Sequence, residues 1–430
     1  MAELQKRIVH DITKRYLESG DFNGTHISTL KDSTEAKVTP GLVEELISSG
    51  LIEVHFGIWG HPNPFIKALE LGDAKSQLKQ LEEVIKKHDL RDSVFYPTKT
   101  HLKNVVNEKD YSDRPYTLEL ALGEPQLHVR HFQPSIMIQY RDDPRYYYKF
   151  EGNCGTVFVK EEDAEIHEDD EIFLKSFGTG FHEEYDANQK TSIMCFVCDL
   201  SKLSPSQQKQ WKLKQLSSSE YKIDHAFAQS QIFGSFDFDA TMYEAFTAEL
   251  RTINQMSKAI NGTTFFKNGY ENYEDAPRNF HRLLIPTRKE YQSFVETLDR
   301  LMSDNLNPAF FGEYIATTES ITKEDGSVII QSVPTIKLLE SFFHKMMNFP
   351  DTKPLDELVK TFRDVRSIRS KSAHNNLPDE FNYKFNDEQQ KIMNKAYDAI
   401  RLIRLALTNH PEAKKIDVPD WLYKGDIFPR

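Results

Sequence analysis

The strongest constraint on this chain is the period of its apolar residues beyond Pro334, which keeps helical spacing through three successive segments. Ile336, Leu338, Leu339, Phe342, Phe343, Met346 and Met347 make the first set. Leu358, Val359, Phe362 and Val365 make the second, within residues 355–372. Ile392, Ala396, Tyr397, Ile400, Ile403, Leu405 and Leu407 make the third, within residues 387–407. A stripe of apolar side chains every three or four residues leaves one face that must be covered, and three such helices cover one another as a bundle. Residues 331–430 are therefore predicted to be all-helical.

Upstream the period changes. Residues 116–122, 135–140, 146–150, 155–159 and 171–174 and the cysteine-bearing run 191–200 alternate or are rich in aromatic and β-branched residues, with proline and Asp/Asn turns between them. That texture predicts strands of an antiparallel sheet, with Gly178-Thr-Gly180 as a turn. Helical spacing returns over 205–211, 243–260 and 289–302, and Asp325-Gly326 predicts a hairpin turn. Residues 91–330 thus read as mixed, β-rich to about 200 and helical after it. Residues 1–90 read as helical: Leu4, Ile8, Ile12 and Tyr16 fall on one stripe, and Thr39-Pro40 supplies an N-cap with proline at the first helical position. A helix over 41–50 and a strand over 51–56 follow, and Phe65, Ala68, Leu69, Leu78, Leu81 and Ile85 support one or two more helices. The fold class is α+β. The order helix, Ser-Gly, Leu-Ile-x-Val resembles the recognition helix and first wing strand of winged-helix domains, although Glu44, Glu45 and Glu53 are poor partners for phosphate.

Charge and composition exclude several classes. With 54 Lys and Arg against 66 Asp and Glu, the formal net charge is -12, so the surface as a whole repels a polyanion and any nucleic-acid site must be local. Mean hydropathy is -0.58, no apolar run approaches a membrane span, and the first residues lack an apolar signal core. A soluble, cytoplasmic protein without a membrane partner is expected. The three cysteines, Cys154, Cys195 and Cys198, make no disulfide framework. Cys195-x-x-Cys198 lies in an apolar run with no second pair, which reads as a buried strand rather than a zinc or redox site. Residues 160–170 place seven carboxylates around His167, a solvated loop or a divalent-cation site, and the loop is the plainer reading. Arg141, Arg145, Tyr146, Tyr147, Tyr148 and Lys149 interleave basic and aromatic residues, as in a single-strand nucleic-acid platform or in an ordinary strand packing its tyrosines. No metal and no cofactor is expected.

Within the C-terminal segment, Lys360, Arg363, Arg366, Arg369 and Lys371 put five cations in twelve residues. From Leu355 onward there are 14 Lys and Arg against 12 Asp and Glu, a basic patch on an otherwise acidic chain. The run Arg363-Asp-Val-Arg-Ser-Ile-Arg-Ser-Lys-Ser-Ala-His374 contains Arg369-x4-His374. With Asn382-Tyr383, Glu388-Gln-Gln390 and Tyr397-Asp-Ala-Ile-Arg-Leu-Ile-Arg-Leu-Ala-Leu407, this region resembles the HEPN superfamily of helical bundles over roughly residues 335–425. An R-x(4–6)-H motif marks many metal-independent ribonucleases of that superfamily. The residue after the motif arginine is often Asn, Asp or His in active members, and here it is Ser370.

The resemblance implies a metal-independent endoribonuclease with Arg369 and His374 catalytic, assembled as a homodimer through the C-terminal helices. Cleavage of RNA by its own 2′-hydroxyl needs a group to move that proton and cationic donors for the charge on phosphorus. His374 has the neutral-range pKa for the first task and Arg369 the two-pronged donor geometry for the second, with Arg363, Arg366, Ser370 and Lys371 supporting the substrate phosphates. Positions 369 and 374 of one straight helix point about 140° apart, so either the helix bends or two chains combine their motifs. The resemblance further implies a role in phage defence or a toxin-like stress response, with a possible regulatory protein partner. Beside it stand a non-catalytic component that binds RNA, a nucleotide or a partner through the same basic patch, a DNA-binding regulator using residues 1–90, and an unrelated helical bundle. In the plain structural reading Arg366 and Arg369 pair with acids such as Asp364 or Asp398 while His374 caps the helix C-terminus.

Overall fold

The computed structural model describes residues 2–34, 38–57, 63–87, 90–151, 154–160, 165–184, 190–234, 240–272, 275–322, 327–346, 351–374 and 378–428. It divides into two compact units, the first taking most of residues 1–237 and the second residues 238–430 with short segments near 150 and 190.

The first unit begins with helix α1 (Ala2–Glu18), whose Ile8, Ile12 and Tyr16 are buried. Strand β1 (Thr25–His26) and helices α2 (Ile27–Thr34) and α3 (Pro40–Ser48) follow. Thr39 accepts a hydrogen bond from Leu42 N at 3.3 Å, the cap that its position before Pro40 predicts. Strand β2 (Ile52–His55), helix α4 (Ala74–Lys87) and strand β3 (Val94–Pro97) complete this part. Strand β3 lies between β1 and β2, antiparallel to both, with Phe95 opposite Thr25 and Val54. Of the helices predicted over residues 63–88 only α4 forms; Phe65 and Leu69 lie outside any helix and are exposed.

Short helices α5 (Lys99–Val105) and α6 (Pro115–Ala121) lead into strand β4 (Val129–Phe132), helix α7 (Ile138–Asp142) and strands β5 (Tyr146–Glu151), β6 (Cys154–Val159), β7 (Phe173–His182) and β8 (Thr191–Phe196). Helices α8 (Val197–Leu200) and α9 (Pro205–Leu213), strands β9 (Gln215–Leu216) and β10 (Tyr221–Ile223) and helix α10 (His225–Gln231) end the unit. The strands form one antiparallel sheet in the order β5-β6-β7-β8-β4-β9, and β10 pairs with the end of β7.

Three expectations are corrected here. Residues 116–122 form a helix, because Pro115 occupies the first helical position and Tyr116 and Leu120, four residues apart, supply the buried face. Residues 135–140 are likewise a 3-10 turn and helix opened by Pro134. Gly178-Thr-Gly180 is no turn but the middle of β7, where a Cβ on Gly180 would stand 2.5 Å from Ser192 Oγ and 2.7 Å from His131 Nδ1. Glycine is required there because Ser192 of the adjacent β8 and His131 of β4, hydrogen-bonded at 2.8 Å, crowd the strand at this point.

The second unit opens with β11 (Ala240–Thr241), paired in parallel with β14 (Ile427–Phe428). Its helices are α11 (Met242–Asn261), α12 (Arg288–Met302), α13 (Pro308–Gly312), α14 (Thr335–Met346), α15 (Lys353–His374), α16 (Lys384–Leu407) and α17 (Asp420–Lys424). Between α13 and α14 stands the hairpin β12 (Thr318–Thr322) and β13 (Val328–Ser332); the turn residues Asp325 and Gly326 lie outside the described residues. Thr241 and Glu244 close a reciprocal capping box at the start of α11, and Gly262, at φ 81°, ends it in the left-handed conformation. One hydrophobic core joins α11, α12, α14, α15 and α16, so the helices over 243–302 share their core with the C-terminal ones. Inside it Arg404 Nε donates to Glu249 Oε2 at 2.5 Å, and both side chains are withdrawn from solvent. No helix among the described residues is long and apolar enough to cross a membrane.

His131 is 2% exposed, and burial pushes its pKa down to about 4. The folded chain then binds fewer protons at this site than the unfolded chain does. The resulting stability, on the order of 3 kcal/mol, is complete above pH about 6.5 and is lost as pH falls from there to about 4. Urea unfolding of wild type and His131→Gln across that window is expected to show a shallower acid slope in the variant. An equal slope in both would assign the acid sensitivity elsewhere.

Candidate functional site

The second stripe of the C-terminal sequence becomes one helix, α15, without a break from Lys353 to His374. Leu355, Leu358, Val359, Phe362 and Val365 are buried on its inner side. The arginines that flank this stripe reach across to other helices.

Helix α12 supplies their partners. Asp299 lies on its apolar face between Val295, Leu298 and Met302, and its side chain is fully buried. At the helix end, Ser303 N and Asp304 N both donate to the Asp299 carbonyl, which folds the chain back and sets the Asp304 carboxylate beside that of Asp299. Arg366 Nε lies 2.9 Å from Asp299 Oδ2, and its Nη2 lies 2.5 Å from Asp304 Oδ1. Arg369 Nη1 donates to Asp299 Oδ2 at 2.7 Å and to Asp304 Oδ2 at 2.8 Å. Two guanidinium groups and two carboxylates form a cluster with no net charge. The hydrogen bonds to Asp299 and then Asp304 push the Arg369 pKa above its already high usual value.

Both bonds of Arg369 leave from one nitrogen. Nε and Nη2 make no hydrogen bond to a described residue, and the side chain is 32% exposed. Arg363 Nη2 pairs with Glu340 Oε2 on α14 at 2.6 Å. Ser370 and Lys371 are exposed. His374 is the last residue of α15, and its imidazole lies outside the described side chains. The helix is unbroken from 369 to 374, and five residues of a regular α-helix turn through about 140°.

The acids that hold Arg366 and Arg369 are thus Asp299 and Asp304, not Asp364 or Asp398. Local spacing could not find partners more than sixty residues away. A signal was present nonetheless: Asp299 occupies a position of the α12 apolar stripe, where a charge must find an opposite charge.

Other sequence candidates take structural places. Tyr146 and Tyr148 are buried, Tyr147 stacks on Phe158 at 4.5 Å and Tyr148 on Phe177 at 6.1 Å, while Arg145 pairs with Asp143, so these rings are committed to the sheet. Cys195 is buried in β8, Cys198 lies in α8, and burial pushes both thiols up. Residues 161–164 of the acidic run lie outside the described residues. Glu70, Glu124 and His128 are the one trio of described residues whose ligand atoms lie within 4.8 Å of one another. Lys99 already bridges Glu70 and Glu124, and Arg130 Nη2 donates to Glu124 at 2.7 Å, so side-chain cations supply the countercharge. Helix α3, offered as a DNA-reading helix, buries Leu42, Val43, Leu46 and Ile47 and exposes Glu44.

The chain is matched by no family model, no curated protein and no solved structure.

Asp299→Ala is expected to destabilise the protein by about 3–5 kcal/mol, the cost of breaking a buried pair. Asp304→Ala, whose side chain is 44% exposed, is expected to cost at most about 1 kcal/mol. Chemical unfolding of both variants measures the contrast, and equal losses would deny Asp299 its special position.

Proposed function

We propose that the C-terminal helical unit is a metal-independent endoribonuclease of the HEPN type, with Arg369 binding the scissile phosphate and His374 moving the proton of the attacking 2′-hydroxyl. The observation that carries this reading is the state of Arg369. A buried carboxylate fixes one nitrogen of its guanidinium while Nε and Nη2 make no hydrogen bond to a described residue, and the side chain remains partly exposed. A donor held in place before substrate arrives pays little to order itself when charge develops on the phosphate. In the reaction the 2′-oxygen bonds to phosphorus as its proton passes to a base. The bond to the 5′-oxygen breaks, and that oxygen takes a proton. The products are a 2′,3′-cyclic phosphate and a 5′-hydroxyl.

The unbroken α15 adds a requirement. Because positions 369 and 374 diverge on one chain, the reading places the Arg369 of one copy with the His374 of a second, and the homodimer through the C-terminal helices belongs to the proposal. A role in phage defence or a toxin-like response, and a regulatory protein partner, rest on family resemblance alone.

A specific observation favours a second reading, a non-catalytic module that binds RNA or a partner. Arg363, Arg366 and Arg369 are each compensated by a carboxylate, which leaves Lys371 as an exposed cation near the motif that pairs with no described residue. The third reading, duplex DNA recognition by residues 1–90, has the three-stranded sheet beside α3 in its favour and the exposed Glu44 against it.

Incubation of a mixed RNA pool with the full chain in EDTA separates these readings. The first expects fragments ending in 2′,3′-cyclic phosphate, with at least about 100-fold slower cleavage by His374→Ala, the scale of a lost general acid or base. Arg369→Ala is expected to lose cleavage as well, but His374→Ala decides because Arg369 also holds Asp299. RNA binding without cleavage, or cleavage retained in His374→Ala, would overturn the assignment.

A further inference from the structure

Away from α15, the first unit holds a partly enclosed cavity of about 610 Å³ between α1, the end of α3 and α5. Its construction is legible in the α1 sequence. Residues 5, 9 and 13 step along one line of the helix, and residues 6, 10 and 14 along the line beside it. The first line, with Val9 and Thr13 buried, makes the floor; the second is Lys6, His10 and Lys14, all exposed, and makes a cationic rim about 12 Å long. Across from it stand Leu46, Leu51 and Val105. Leu51 is 37% and Val105 49% exposed, so apolar surface on this wall faces the opening.

The polar groups inside are arranged, not left over. Thr13 Oγ1 donates to the Val9 carbonyl at 2.7 Å and lies 3.1 Å from His101 Nε2. Partial burial lowers the His101 pKa, which disfavours a charged imidazole in this wall. The carboxylate of the wall, Glu45, is engaged by the Gln5 amide. Lys14 has only a 4.0 Å contact with the exposed Glu18. Glu45 keeps its charge under the neutral Gln5 donor, so Lys6 and Lys14 make the lining cationic on balance, while Val9, Leu46, Leu51 and Val105 supply its apolar surface.

We propose that this cavity binds an amphipathic monoanion, with an apolar chain laid along Val9, Leu46, Leu51 and Val105 and a carboxylate or phosphate set against Lys6 and Lys14. The size suits one small-molecule ligand, since such sites usually measure some 300–1,000 Å³. A single cationic rim beside an apolar trough selects against cationic amphiphiles of the same length. The site is independent of the ribonuclease reading and would endow the first unit with a ligand-sensing surface.

The test is calorimetric titration of the full chain with dodecanoate below its micelle concentration, with dodecyltrimethylammonium as the opposite-charge control. One saturable site is expected, with affinity for the cation at least about tenfold weaker. A Lys6→Glu/Lys14→Glu double variant changes exposed side chains only and is expected to lose about tenfold for dodecanoate. Val105→Glu, which puts a charge on the apolar wall, is expected to weaken binding similarly, and near-ultraviolet circular dichroism checks that each variant keeps its fold. Absence of saturable binding, equal affinity for the two amphiphiles, or affinity unchanged in both variants would overturn the proposal.

Discussion

The buried carboxylate of Asp299 is the constraint on which the arrangement of the second unit turns. A carboxylate with no solvent contact must be met by cations and hydrogen bonds, or the helix bearing it cannot pack. Arg366 and Arg369 meet it from one side of α15, which fixes how far that helix slides along α12. Glu249 and Arg404 repeat the device between α11 and α16, again with a charged residue inside an apolar stripe: Phe246, Leu250 and Ile253 on one helix, Ile400, Ile403 and Leu407 on the other. Apolar stripes alone tolerate sliding by a turn. A slip at either place would leave a buried charge unpaired, which costs about 3–5 kcal/mol.

The same device constrains function. Arg369 serves the packing of α15 through Nη1, and only what remains of its guanidinium is available for a phosphate. A chain that needed arginine solely for substrate would have no reason to bury Asp299 beneath it. Both uses fit the partly exposed position the side chain occupies.

Much of the fold was legible because helical and alternating patterns are local. The five long helices of the second unit fall where their stripes put them, and the caps at Thr39 and before α9 act as their residue types dictate. The failures share one cause. In residues 116–122 and 135–140, apolar residues close together satisfy both a two-residue and a helical period, and the prolines at 115 and 134 decide for the helix. Gly178 and Gly180 look like a turn until the sheet pairs them within β7 and brings His131 and Ser192 against Gly180. The candidate site was legible in its residues but not in its partners, because Asp299 and Asp304 meet Arg369 only after α12 and α15 pack. The amphipathic cavity had a signature in the parallel lines of α1, but its far wall comes from residues 45–51 and 101–105.

The central claim, that Asp299 and Arg369 are energetically coupled, is tested most directly by a double-mutant cycle. Chemical unfolding of wild type, Asp299→Ala, Arg369→Ala and the double variant is expected to give a coupling energy of about 1.5–3 kcal/mol, the scale of a hydrogen bond between charged groups. Losses that add to within about 0.5 kcal/mol would show the two side chains to be independent and would remove the constraint from which the rest is argued.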